Sequence, residues 1–99
     1  MTVYVIGQMK FKDVSQYRLY EAEFPKVFFQ YGGKVLVSDE NTKVMKGDWD
    51  FDKTVLLEFP SEDEFKAFAT SEAYSKIVPL RDAGGDITLT LVKQLPQPK

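Results

Sequence analysis

Four segments of the chain have the residue pattern of β-strands. They are rich in β-branched and aromatic residues, which favour the pleated and half-buried surface of a sheet. The segments are residues 3–11 (VYVIGQMKF), 34–40 (KVLVSDE), 53–59 (KTVLLEF) and 86–95 (DITLTLVKQL). The fourth segment has the clearest alternation, because its isoleucine and leucines are separated by threonines. The pattern therefore predicts a sheet of four strands.

Between the first two strands, apolar residues recur at intervals of three and four, which predicts an amphipathic helix. This apolar face consists of Tyr17, Tyr20, Phe24, Val27, Phe28 and Tyr31. Asp13 is the predicted N-cap, and Gly32 and Gly33 are predicted to end the helix. Because proline lacks a backbone donor, Pro25 should kink this helix or split it near Phe24.

A second helical region follows Pro60. Ser61 and Glu64 have the spacing of a capping box, in which each side chain satisfies a backbone donor of the other residue. Ser71 is predicted to cap a further short helix that ends at Ala83-Gly84-Gly85. Residues 41–52 are predicted to contain a turn and a hairpin arm with a loop.

The predicted order is strand, helix, strand, strand, helix, strand, which is the ferredoxin-like arrangement of two split βαβ units. We therefore expect an α+β fold with both helical regions on one face of the sheet. A single domain should occupy residues 1–95, and residues 96–99 should form a frayed C-terminal tail.

The first and third strands carry apolar side chains on both faces. In the first strand, Val3 and Val5 point to one face, and Tyr4 and Ile6 point to the other. In the third strand, Leu56 points to the face opposite to that of its neighbours Val55 and Leu57. A chain of 99 residues has too few helices to cover both faces. We therefore expect two ferredoxin-like protomers to stack their sheets as a homodimeric α/β barrel, since closed twofold dimers are the commonest oligomers. The alternative is a monomer with some exposed apolar residues.

Composition narrows the possible chemistry. With 13 basic and 15 acidic residues the net charge is −2, which gives no electrostatic reason to bind nucleic acid or an anionic membrane. There is no cysteine, so a cytoplasmic location is the simplest expectation. Without histidine or cysteine, the usual zinc sites, iron–sulfur clusters and Ser-His-Asp triads are excluded, and we predict neither a metal nor a cofactor. Ser61 and Ser71 are accordingly interpreted as helix caps rather than as nucleophiles.

Any general acid or base must then be Asp, Glu, Lys or Tyr. Glu58 is the predicted catalytic residue, because a carboxylate among Leu56 and Ile6 in the barrel interior would be desolvated and its pKa raised. Gln8 and Thr90 would line the same interior as ligand-binding residues. The alternative for Glu58 is an ion pair with a lysine or with the partner chain near the strand end.

Three further residues are predicted to contact a ligand. Lys34, after the glycine pair, and Arg81, near the end of the last helix, could hold a carboxylate together. Tyr17 could donate its hydroxyl to a ligand oxygen. The alternatives are a surface charge for Lys34, a favourable C-terminal helix charge for Arg81, and packing in the core or at its rim for Tyr17.

The segment GDWDFD, residues 47–52, contains the only tryptophan and three aspartates. Alternating carboxylates can bind calcium or magnesium, but the segment lacks the full loop with a closing glutamate. A flap that places an aromatic side chain over a pocket or a dimer neighbour is the favoured interpretation.

Several short motifs occur in an order that resembles the small bacterial proteins of domain-of-unknown-function family 1330. They are YGGK at 31–34, KG at 46–47, FPS at 59–61, SEAY at 71–74 and LR at 80–81. The resemblance covers nearly the whole chain, with Lys34 where the family usually has arginine. It implies ferredoxin-like protomers in a dimeric α/β barrel, and fold relatives that include cofactor-free monooxygenases, muconolactone-isomerase-like enzymes and haem-degrading enzymes. Because this chain has no histidine, it cannot bind haem through a histidine ligand as some of these relatives do.

These observations lead to two functional hypotheses. The first is a homodimeric protein that binds a small anionic or carbonyl-containing molecule in a cleft between sheet and helices, as a cofactor-independent monooxygenase- or isomerase-like enzyme. The second is a non-catalytic dimer that binds a metabolite or stabilises a partner.

Overall fold

The protein was analysed as a computed structural model that describes residues 1–96. The predicted tail at 96–99 lies outside the described residues except for Pro96. The elements are β1 (Val3–Phe11), α1 (Val14–Phe28), a short 3-10 helix (Phe29–Tyr31), β2 (Lys34–Asp39), β3 (Lys53–Phe59), α2 (Glu62–Ala69), α3 (Glu72–Gly84) and β4 (Gly85–Lys93). The predicted order of strands and helices is confirmed.

The four strands form one antiparallel sheet in the order β2-β3-β1-β4. The central strand β1 pairs with β3 on one side and with β4 on the other, so that Gly7 lies between Val55 and Leu89. A Cβ atom at Gly7 would lie 2.7 Å from Val55 Cγ2, so a larger residue would not fit there without a shift. This topology is the α+β ferredoxin-like fold that the sequence predicts.

Helix α1 begins at the predicted N-cap, and the 3-10 helix that follows it ends at the predicted glycine. The Asp13 carboxylate accepts hydrogen bonds from the backbone N–H groups of Ser15 and Gln16, at 3.0 and 3.4 Å. Gly32 takes the left-handed conformation with φ 72°, which glycine adopts without steric cost. Of the two outcomes predicted for Pro25, the split near Phe24 is wrong, because α1 continues through Pro25 to Phe28, and the kink remains a prediction. The rings of Phe24 and Phe28 stack at 4.8 Å on the buried side, and this packing supports the helix across the proline.

The hairpin arm predicted within residues 41–52 is also not formed, because no strand is present between β2 and β3. Contacts of Asp50 and Asp52 with the end of β1, rather than a strand ladder, fasten this connection, and one of them is a backbone hydrogen bond from the Asp52 N–H to the Met9 carbonyl at 2.8 Å. The Asp52 carboxylate accepts a hydrogen bond from the Phe11 backbone N–H at 2.8 Å, and Lys10 donates to Asp50 at 2.8 Å. Gly47 has φ 87°, which interrupts any extended conformation in this segment.

The core lies between the helices and one face of the sheet. Phe28 and Phe59 are fully buried there, and their ring centroids are 5.4 Å apart in an edge-to-face arrangement. On β1, Val3 and Val5 point into this core. The intervening β1 residues lie on the opposite face, which no helix within residues 1–96 covers.

Replacing Phe28 with alanine should lower the free energy of unfolding by about 3–5 kcal/mol, because a fully buried ring leaves a cavity. Phe29→Ala is the matched control: its ring is 61% exposed, and the expected change is within about 0.5 kcal/mol. Urea unfolding followed by circular dichroism measures both values. Similar losses of unfolding free energy in the two variants would contradict the assignment of Phe28 to the core and of Phe29 to the surface.

Candidate functional site

A cavity of about 280 Å³ lies between the helices and the inner face of the sheet. Most of its wall is apolar and is formed by residues such as Val5, Phe24, Leu57, Phe65, Phe68 and Leu89. The polar side chains on the wall come mainly from α1, α3 and the start of β3. A largely apolar cavity with a few convergent polar groups is the usual form of a small-molecule site.

Three of these polar side chains form a hydrogen-bonded chain between the two long helices. The hydroxyl oxygens of Tyr20 and Tyr74 are 2.8 Å apart, and the Arg81 guanidinium donates to the Tyr74 hydroxyl at 3.2 Å. Tyr74 and Arg81 are two helical turns apart on α3, so they lie on the same face. In these two bonds the donors are one guanidinium N–H of Arg81 and the hydroxyl of one tyrosine. The hydroxyl proton of the other tyrosine is therefore left to donate to a ligand oxygen.

Burial determines the protonation of this chain. The pKa of Tyr20 is raised, first by burial and then by the neighbouring Tyr74, so Tyr20 stays neutral at physiological pH. Burial alone would lower the pKa of Arg81, but its contacts with Tyr74 and Asp82 outweigh this effect and the pKa is raised. Arg81 is therefore a charged group on the cavity wall. Its side chain is 15% exposed, whereas its carboxylate partner Asp82 is 60% exposed.

A second charged group on the wall is Lys53, whose side chain is 4% exposed. Its Nζ is 2.6 Å from the Glu21 carboxylate and 3.5 Å from that of Glu40, and it lies 4.7 Å from the ring centroid of Tyr17. Burial alone would lower the pKa of Lys53, but the hydrogen bond to Glu21 and the contact with Tyr17 raise it. Arg18 completes this cluster, because its guanidinium binds both carboxylate oxygens of Glu40 at 2.7 Å.

The predicted site residues fall into two groups. Tyr17 and Arg81 line the cavity. Glu58 does not: it lies on the opposite face of the sheet, 3.8 Å from Lys34. This ion pair corresponds to the alternative that the sequence left open for Glu58.

The two remaining predicted ligand contacts share the face of Glu58. Gln8 pairs with Thr54 and Thr88 across the sheet, and Thr90 pairs with Ile6. The structure thus separates Glu58, Lys34, Gln8 and Thr90 from Arg81 by the thickness of the sheet.

Tyr74, Lys53 and Glu21 were not among the predicted ligand-binding residues. Lys53 carried a signal, since it occupies an inward position of β3 in register with Val55 and Leu57. A charged residue on a buried strand face needs a partner. That partner is Glu21, which comes from a helix 32 residues earlier in the chain, so local sequence patterns cannot identify it.

The two serines are helix caps, as predicted. Ser61 Oγ accepts from the Glu64 N–H at 3.2 Å, and Ser71 Oγ accepts from the Tyr74 N–H at 3.1 Å. Within residues 1–96, the Ser61 N–H does not donate the return bond to the Glu64 carboxylate, so only half of the predicted capping box is present.

Two of the three aspartates in residues 47–52, Asp50 and Asp52, contact protein groups as described above. In the part of the chain that the structure describes, no three acidic side chains come close enough together to hold a metal ion. No helix within residues 1–96 has the length and apolar character that a membrane span requires.

Comparison with solved structures shows the same fold in several proteins. A protein of unknown function from Rhodopseudomonas palustris is 21% identical over 97% of this chain and 84% of its own, with a TM-score of 0.82. A dimeric ferredoxin-like protein of unknown function from Jannaschia sp. CCS1 is 10% identical over 95% of this chain and 100% of its own, with a TM-score of 0.80. SnoaB, a cofactor-independent oxygenase from Streptomyces nogalater, is 11% identical over 97% of this chain and 95% of its own, with a TM-score of 0.71.

The chain belongs to the family described as Domain of unknown function (DUF1330), whose sequence profile matches residues 2–95. The resemblance inferred from the sequence motifs is thereby confirmed. A search of curated proteins found no match. At these identities the structural likeness establishes the ferredoxin-like fold and carries no information about a ligand.

Replacing Glu40 with glutamine should weaken the fold at neutral pH, and the difference from the wild type should shrink in acid. The hydrogen bonds from Arg18 hold the pKa of the Glu40 carboxyl below its ordinary value of 4.5. Because the pKa of Glu40 is lower in the folded state, its ionised carboxylate stabilises the protein fully at pH values above the ordinary pKa of 4.5. This contribution is lost as the pH falls through the folded-state pKa. Urea unfolding between pH 7 and pH 2 measures the effect. Asp48→Asn, at an exposed carboxylate outside every helix and strand, should change the free energy of unfolding by no more than about 0.5 kcal/mol, and a constant Glu40→Gln deficit at all pH values would contradict the account.

Proposed function

We propose that this protein binds a compact, largely apolar molecule that carries one anionic or carbonyl oxygen, in the cavity between its helices and sheet. The observation that supports this proposal most strongly is the chain of Tyr20, Tyr74 and Arg81 on a cavity wall that is otherwise mainly apolar. These groups would supply a cation and a hydroxyl donor to the ligand oxygen, while the aromatic wall would take up the apolar part.

Arg81 supports this role because its existing partners satisfy it only in part. Removing a guanidinium from water is costly unless it gains an ion pair and hydrogen bonds. Its carboxylate partner Asp82 is mostly exposed, so that contact is weakened by solvent. A ligand carboxylate or enolate inside the cavity would form a stronger, shielded contact with Arg81.

A catalytic role is the second candidate. The tyrosine pair places a hydroxyl proton at the cavity, where it could protonate a ligand oxygen or stabilise an enolate, as isomerase-like or oxygenase-like chemistry requires. The structural similarity to the cofactor-independent oxygenase SnoaB supports this possibility. A protein that only binds its ligand would have the same cavity, and product formation distinguishes the two roles.

We also propose that two copies associate through the outer face of the sheet. Tyr4, Ile6 and Leu56 form an apolar strip at its centre, with the more exposed Val37 and Val92 on the neighbouring strands. The Cα radius of gyration is 14.2 Å, larger than the about 13 Å typical of a compact domain of about 100 residues, because the protomer is flat. Two structural relatives are dimeric ferredoxin-like proteins. The cytoplasmic location remains a prediction from the absence of cysteine.

Benzoate is a suitable probe because it joins one carboxylate to an apolar ring. Arg81→Gln should weaken its binding about tenfold, the value of one hydrogen bond between charged groups. Isothermal titration calorimetry measures the affinity, and benzamide, with the same shape and no charge, should bind the wild type more weakly.

Lys76→Gln is the matched control for this experiment. It removes one positive charge from the same helix at a side chain that is 72% exposed, and benzoate affinity should not change. Equal affinity of the wild type and Arg81→Gln for benzoate, or no binding by the wild type, would contradict the proposed site.

Leu56→Lys should convert the homodimer to a monomer, because it places a charge at the centre of the outer sheet face. Size-exclusion chromatography with light scattering should give the mass of two chains for the wild type and of one chain for the variant. Leu19→Lys, on the exposed surface of α1, should remain a dimer. A monomeric wild type, or an unchanged dimer in Leu56→Lys, would overturn the proposed interface.

A further inference from the structure

We propose that Glu21 makes the cavity selective for ligands with a single negative charge, because it neutralises Lys53, the second cation on the cavity wall. This inference rests on the proposed function and specifies the charge class of the ligand. It depends on the contacts of four side chains at the junction of α1, β2 and β3.

Lys53 and Glu21 both line the cavity, so a ligand would meet them as a pair rather than as separate charges. The Lys53 Nζ donates to the Glu21 carboxylate at 2.6 Å. A carboxylate at this distance occupies the ammonium group and repels any further anion beside it.

The surrounding charges complete the neutralisation. Glu40 lies 3.5 Å from Lys53 and accepts two hydrogen bonds from Arg18, and Arg18 is also 3.1 Å from Glu21. Two cations and two carboxylates thus form a cluster with no net charge. Arg81 differs, because its carboxylate partner within residues 1–96 is the exposed Asp82.

The two cations lie along one continuous row of tyrosines. The Nζ of Lys53 lies over the ring of Tyr17, and the centroid of this ring is 5.8 Å from that of Tyr20. The hydroxyl of Tyr20 is hydrogen-bonded to that of Tyr74, which accepts a hydrogen bond from Arg81. A ligand that is bound to Arg81 and lies along this row would bring its far end toward Lys53. A second anionic group would meet a cation that is already paired, so a monoanion with an apolar end is the favoured ligand.

The experiment compares one monoanion with two dianions of different length. Benzoate, terephthalate and 3-(4-carboxyphenyl)propanoate are titrated by calorimetry into the wild type, Glu21→Gln and Glu23→Gln. Glu23 is the matched control, because it lies on the same helix, pairs with Lys26 at 3.2 Å and does not line the cavity.

The wild type should bind benzoate more tightly than either dianion. Glu21→Gln should raise the affinity for at least one dianion by about tenfold, the value of one hydrogen bond between charged groups, and Glu23→Gln should not. The double variant Glu21→Gln/Lys53→Gln should lose this gain, which separates release of Lys53 from simple removal of a negative charge.

Two results would overturn the inference alone: equal binding of benzoate and both dianions by the wild type, or an unchanged dianion affinity in a folded Glu21→Gln variant. The first of these needs no variant, so the test does not depend on whether Glu21→Gln folds. Failure of benzoate to bind the wild type would instead overturn the proposed function, and this inference with it.

Discussion

The structure depends on one constraint: its helices cover a single face of a four-stranded sheet. The covered face is filled with aromatic rings, of which Phe28 and Phe59 are fully buried. A cavity lies between these helices and the sheet, and the polar groups on its wall must find partners among themselves. The chain from Tyr20 to Arg81 is that solution within residues 1–96. The uncovered face follows from the same constraint and accounts for the proposed second copy.

The fold could be predicted from the sequence because its signals are local. The aromatic periodicity of α1, the caps at Asp13 and Ser71 and the glycine at 32 each act within one or two turns of the chain. The errors have equally local causes. Pro25 is a helix breaker by propensity, but the stacking of Phe24 on Phe28 outweighs it, because tertiary packing overrides propensity. The connection between β2 and β3 is held by a few contacts of Asp50 and Asp52 with β1 rather than by a ladder, and no short-range pattern indicates that.

The candidate site could be predicted only in part, because its polar contacts join distant segments. Arg81 and Tyr17 were identifiable as candidates, since both follow from the helix pattern. The partner of Tyr74 is Tyr20 and that of Lys53 is Glu21, and these pairs become visible only when the helices lie on the sheet. Glu58 lies on the outer face of the sheet, as the alternation of β3 predicts, but there it is 3.8 Å from Lys34 and is separated from the cavity by the sheet. In a strand, a shift of one residue moves a side chain to the other side of the sheet, so Glu58 faces Lys34 while Leu57 faces the cavity.

The most direct test of the central claim is a crystal structure of the protein grown with benzoate. The account predicts the carboxylate within hydrogen-bond distance of the Arg81 guanidinium or the Tyr74 hydroxyl, with the ring against Phe24 and Phe68. It also predicts that each protomer of a dimer holds one such molecule. Ordered benzoate on the outer sheet face, or a cavity filled by side chains with the ligand elsewhere, would contradict the account.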